Sequence, residues 1–129
     1  MKAKRIVVID NDPAVLDVIQ QTLHYEGFNV EIFEGTDDII SLIQQCQPDL
    51  VILDYILDGV NGGELCGELK SHRSTAKLPV LICSAYPRVL QSLGFYGCDA
   101  FLAKPFGLTE LVSKVSGLLM PKSDMEIAC

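Results

Sequence analysis

Two aspartates, a serine and a lysine each stand one step past a short aliphatic run. Asp10 follows Ile6-Val7-Val8-Ile9, Asp54 follows Leu50-Val51-Ile52-Leu53, Ser84 follows Val80-Leu81-Ile82-Cys83, and Lys104 follows Ala100-Phe101-Leu102-Ala103. Carboxylates grouped without His or Cys suit a hard cation such as Mg²⁺. Crowded into a half-buried crevice they repel one another, and a divalent cation or the Lys104 ammonium offsets that repulsion. No glycine-rich loop follows the first run, so a dinucleotide site is disfavoured. Whether these four residues meet depends on the elements that carry them.

The aliphatic runs alternate with helical patterns along the whole chain. Arg5–Ile9 reads as a strand buried on both faces, because its β-branched residues have no polar alternation. Asp12-Pro13 opens a helix with Asp12 as N-cap, and Val15, Leu16, Ile19 and Leu23 form its apolar stripe up to Gly27. Phe28–Phe33 alternates like an edge strand. Thr36 is the expected cap of a second helix running to about Gln45, with Asp37 and Asp38 in its first turn. Leu50–Leu53 is a second fully apolar strand, and 54–61 is read as a loop. Asn61 and Glu64 have capping-box spacing and open a helix through Leu65 and Leu69. Pro79–Cys83 and Ala100–Ala103 are the fourth and fifth strands, with room only for a short helix, Pro87 to Leu93, between them. Gly107 starts a last helix that Pro121 ends.

Five β-α steps predict an α/β fold: a flavodoxin-like doubly wound parallel sheet, strand order 2-1-3-4-5, with helices on both faces and right-handed crossovers. Ligands bind such sheets beyond the carboxyl ends of the strands. Asp10, Asp54, Ser84 and Lys104 all sit at such ends.

At these residues the chain resembles the receiver domain of two-component response regulators, over roughly residues 4 to 120. The resemblance rests on Ile6–Asp10, on Pro48–Asp54, on the turn Asn61-Gly62, on Val80–Ala85, and on Gly97–Phe106 with its Lys104-Pro105. It implies a phosphoacceptor domain of a His-to-Asp phosphorelay that switches partner binding. Asp54 is then the phosphoacceptor. Asp10 and Asp54 hold Mg²⁺, with the backbone carbonyl of Ile56 as a further ligand. Ser84 and Lys104 bond oxygens of the transferred phosphoryl group, Phe101 is the aromatic whose rotamer reports the state, and Lys104-Pro105 is a cis peptide. The implied donor is a histidine kinase or histidine phosphotransfer protein, and the output is a downstream protein or domain.

Four positions depart from the family pattern. Asn11 stands where a second acid is usual, which removes one formal charge but leaves a neutral oxygen, so weaker Mg²⁺ binding is expected. The stretch from Ser84 to Gly97 is short, Asp58 replaces a frequent proline, and Gly107 replaces a frequent Asp cap. Asn11 also admits a receiver-like interaction module that works without phosphorylation. A Mg²⁺-dependent phosphatase is disfavoured, because such enzymes need a second acid two residues after the nucleophile and Ile56 occupies that place.

Composition and charge bound the class of protein. The 129 residues suit one domain, 1–121, with a polar tail over 122–129. Ten basic against 17 acidic side chains give a net charge of −7, unfavourable for direct binding to nucleic acid or anionic lipid. The basic N-terminus precedes an apolar run too short for a signal peptide, and Leu78 to Cys98 is interrupted by Pro79, Pro87, Gly94 and Gly97, so no membrane span is expected. Cys46, Cys66, Cys83, Cys98 and Cys129 are odd in number and lack any CxxC, which reads as reduced, mostly buried thiols of a cytoplasmic protein. Cys129 is expected to be exposed.

Overall fold

A computed structural model describes residues 3–57, 60–85 and 97–120. The elements are β1 (Arg5–Ile9), α1 (Pro13–Tyr25), β2 (Asn29–Phe33), α2 (Ile39–Cys46), β3 (Leu50–Asp54), β4 (Ile56–Leu57), β5 (Val60–Asn61), α3 (Gly62–Ser71), β6 (Val80–Ser84), β7 (Ala100–Ala103) and α4 (Leu108–Leu119). The main sheet has the order β2-β1-β3-β6-β7, with every neighbouring pair parallel. Leaving aside the β4/β5 hairpin, this is the expected 2-1-3-4-5 winding.

Strand periodicity divides the core into two layers. Val7, Ile9, Val51, Leu53, Val80 and Ile82 pack against Ile39 and Ile43 of α2 and Leu65, Cys66 and Leu69 of α3. Ile6, Val8, Leu50, Ile52, Leu81, Cys83 and Leu102 face Leu16, Ile19 and Leu23 of α1 and Leu111 and Val115 of α4. The central strand β3 is buried along its whole length, Asp54 included, and is paired on both sides by β1 and β6. Helix α1 is capped by the Asp12 side chain, which accepts from Ala14 N–H, and it ends before Gly27 at φ +96.

Two expectations need correction. Asp38, not Thr36, caps α2, accepting from Ser41 N–H at 3.1 Å. Thr36 Oγ1 instead accepts from Asp38 N–H at 3.2 Å, so the hydroxyl shapes the turn that sets up the true cap. The segment 54–61 is not simply a loop: β4 and β5 pair antiparallel, Ile56 with Asn61 and Leu57 with Val60. The expected short helix Pro87–Leu93, residue Asp58, the tail 122–129 and Cys129 lie outside the described residues. Among those described, no helix is long and apolar enough to cross a membrane.

Cys66 and Cys83 lie within the two core layers, and burial pushes both thiols up to about 12. At pH 8 only about one part in ten thousand of either is thiolate. Iodoacetamide under native conditions is therefore expected to leave both intact, whereas urea exposes them. Modification of either at the native-state rate of an exposed thiol, read by peptide mass, would contradict this packing.

Candidate functional site

The parallel ladder carries both acids to one edge. Asp10 continues β1, its N–H donating to the Phe33 carbonyl at 3.1 Å, and its Oδ1 accepts from Asp12 N–H at 2.9 Å. Asp54 ends β3 opposite Cys83 of β6, and Tyr55 N–H donates to the Cys83 carbonyl at 2.8 Å. Lys104 follows β7, its N–H donating to the Ser84 carbonyl at 2.8 Å, and the Lys104-Pro105 bond is cis.

These three side chains meet. Lys104 Nζ lies 2.7 Å from Asp10 Oδ2 and 3.1 Å from Asp54 Oδ1, donating a hydrogen bond to each. Asp10 is 2% exposed and Asp54 8%. Burial and the neighbouring Asp10 charge push the Asp54 carboxyl above its ordinary value, against the opposing pull of Lys104 and the Tyr55 backbone N–H. Burial would lower the Lys104 ammonium, but its hydrogen bonds to both acids and their charges raise it. Two carboxylates against one ammonium leave the crevice with one negative charge in excess. Among the described residues no three His, Cys, Asp or Glu side chains are placed to hold a metal. A hard cation here would therefore use the two carboxylates, backbone oxygen and its own waters, a donor set that suits Mg²⁺.

Ser84 ends β6, 2% exposed, opposite Ala103 and so beside the strand that leads into Lys104. Ile56 begins the β4/β5 hairpin and is 47% exposed. Asn11 is exposed at the rim, and Asp12 serves α1 as its cap. Phe101 points outward, 44% exposed, with Lys114 Nζ of α4 5.9 Å from its ring centroid. That distance is within the range of a cation–π contact.

Sequence reasoning overlooked how tightly the segment after Asp54 is pinned. Gly62 N–H donates to the Tyr55 carbonyl at 2.7 Å. A Cβ at Gly62 would overlap the Asp54 carbonyl oxygen and reach 3.0 Å from Tyr55 Cα, so only glycine allows α3 to start this close to the acid. Asn61 Nδ2 donates to the Tyr55 hydroxyl at 2.8 Å, while its Oδ1 accepts from Gly63 and Glu64 N–H as the cap of α3. The Asn61-Gly62 turn was legible; the close approach and the partnership with Tyr55 had no local signal.

A doubly wound parallel sheet of this strand order, with its polar residues gathered at the carboxyl edge, is of the flavodoxin-like α/β class. The profile of the response regulator receiver domain matches residues 6–116. The chain belongs to that family, the receiver domain of two-component response regulators, and is a signalling domain. It is 37% identical over 119 residues to the DNA-binding dual master transcriptional regulator RpaA of Synechocystis, covering 89% of this chain and 48% of that protein. Its fold matches a putative response regulator from Chloroflexus aurantiacus with a TM-score of 0.86 and 28% identity, covering 92% and 98% of the two chains. The response regulator TrrA from Thermotoga maritima, solved in complex with Mg²⁺ and beryllofluoride, matches with a TM-score of 0.81 and 28% identity over 90% and 99%. The chain spans about half the length of the curated relatives it matches.

Proposed function

We propose that Asp54 is the phosphoacceptor of this receiver domain, taking its phosphoryl group from a phosphohistidine on a histidine kinase or phosphotransfer protein. The observation that carries this reading is the Lys104 ammonium held between two buried carboxylates at the sheet's carboxyl edge. Asp54 oxygen attacks phosphorus in line, the P–N bond of the donor breaks, and an acyl phosphate forms on the carboxylate. Asp10, Asp54 and the Ile56 carbonyl are the residues that would hold Mg²⁺, with Asn11 as a weaker neutral donor at the rim. When bound, Mg²⁺ supplies charge neutralisation for the phosphoryl oxygens. Ser84 and Lys104 bond those oxygens after transfer, and Lys104 leaves its 3.1 Å contact with Asp54 to do so. Movement at Ser84 and rotation of Phe101 away from Lys114 then alter the surface that a partner protein or output domain reads.

The domain's own catalysis extends to accepting phosphate from a small donor and slowly hydrolysing the acyl phosphate. Its net charge of −7 disfavours direct contact with nucleic acid, which supports an output through a partner or a further domain. A cytoplasmic setting suits the two buried thiols and the intracellular donor.

The test is incubation with acetyl phosphate and Mg²⁺ followed by intact mass. Wild type gains one phosphoryl group and Asp54→Ala gains none. No gain in wild type at saturating Mg²⁺ would favour an interaction module that works unphosphorylated. Asn11→Asp adds a carboxylate at the rim and is expected to tighten Mg²⁺ binding about tenfold, a strengthening of roughly 1.4 kcal/mol. An unchanged Mg²⁺ titration would show that Asn11 lies outside the cation's reach.

A further inference from the structure

We propose that the Tyr55–Asn61 side-chain pair is a positioning latch that aims the Ile56 carbonyl at a divalent cation; this rests on the metal site proposed above. Ile56 cannot aim its own carbonyl by packing, because its side chain is half in solvent. Its orientation is inherited from its neighbours. Before it, Tyr55 is held at three points: N–H to Cys83 carbonyl at 2.8 Å, carbonyl from Gly62 N–H at 2.7 Å, and hydroxyl from Asn61 Nδ2 at 2.8 Å. Across from it, Asn61 is the direct antiparallel partner of Ile56. After it, the Leu57 side chain is buried in the core layer under α2 and α3.

The Asn61 amide can serve only one way round. Its Oδ1 accepts from Gly63 N–H at 2.6 Å and Glu64 N–H at 3.3 Å, which directs Nδ2 at the phenol. One side chain thus ties the start of α3, the hairpin strand opposite Ile56, and the residue that follows the acceptor. With Asn11 in place of an acid, the cation has two carboxylates rather than three, so a preset carbonyl matters more to its affinity. Loss of groups that orient a ligand costs about tenfold or more in metal affinity.

Tyr55→Phe removes only the hydroxyl, and Asn61→Ser keeps the cap but cannot reach Tyr55. Mg²⁺ affinity is read by calorimetric titration of wild type, each single variant and the double variant, alongside the urea midpoint without metal. The latch predicts about a tenfold loss in each single variant and no further loss in the double. Equal affinities in all four, with wild-type binding intact, overturn the latch and leave the metal site standing. Multiplying losses in the double variant also overturn it, because the two side chains would then act separately. A shift of the metal-free midpoint without a change in affinity reduces the pair to fold support and likewise overturns it. Absence of Mg²⁺ binding in wild type overturns the metal site and the latch together.

Discussion

Lys104→Met is expected to destabilise the domain by about 3 kcal/mol, because it removes the cation from two buried carboxylates and leaves them facing each other. Methionine keeps the length and most of the packing volume of lysine, so the loss reports charge rather than a cavity. The cost depends on pH with a definite sign. Burial and Asp10 already raise the Asp54 carboxyl above its ordinary value of 3.8. A group so raised favours the native state below its ordinary value and loses that contribution as pH rises through the raised one. Without Lys104 the carboxyl rises further, so the variant's deficit is largest at neutral pH and shrinks on acidification toward 3.8. Mg²⁺ binds the native state and is expected to restore more stability to the variant than to wild type. Urea unfolding at two pH values with and without Mg²⁺ measures all three effects. An unchanged midpoint at neutral pH would mean that the bridge at 2.7 and 3.1 Å contributes nothing.

Gly62→Ala is expected to combine lost stability with lost phosphoryl uptake. The new Cβ meets the backbone carbonyl of Asp54, which cannot swing away as a flexible side chain could. Either α3 retreats or the end of β3 moves, at roughly 3 kcal/mol. A displacement of the acid on the order of 1 Å costs about a hundredfold in transfer rate. Gly67→Ala is the control within the same helix. Nothing lies within 4 Å of its Cβ, and alanine is the better helix former by about 1 kcal/mol. Urea midpoints and the time course of intact-mass change separate the two variants. Wild-type kinetics in Gly62→Ala would show that the acid's position tolerates the shift.

Much of the scaffold could be read from residue types. The apolar runs at Arg5–Ile9 and Ala100–Ala103 match β1 and β7 in their bounds, and the Asp12-Pro13 start of α1 is observed. Short-range chemistry sufficed there, because strand burial and capping are local preferences. Thr36 and Asp38 show its limit: both are good caps two residues apart, and only the fold decides which faces the first turn of α2. The β4/β5 hairpin escaped because each strand has two residues and no periodicity, although Asp58-Gly59 between them is a hairpin turn signal. The site itself joins residues 94 positions apart, Lys104 with Asp10, and no local pattern encodes that meeting. It follows from strand order, which brings β7 and β1 toward one edge around β3 and β6. Tyr55 gave no warning, since its role depends on a side chain six residues on that also caps a helix.

The most direct measurement locates the phosphoryl group. Protein treated with acetyl phosphate and Mg²⁺, then with borohydride, has any acyl phosphate reduced to the alcohol, which peptide fragmentation assigns to one residue. The account predicts reduction at Asp54, abolished without Mg²⁺ and absent in Asp54→Ala. Reduction at Asp10 or Asp12, or none at Asp54 despite incorporated phosphate, would contradict it.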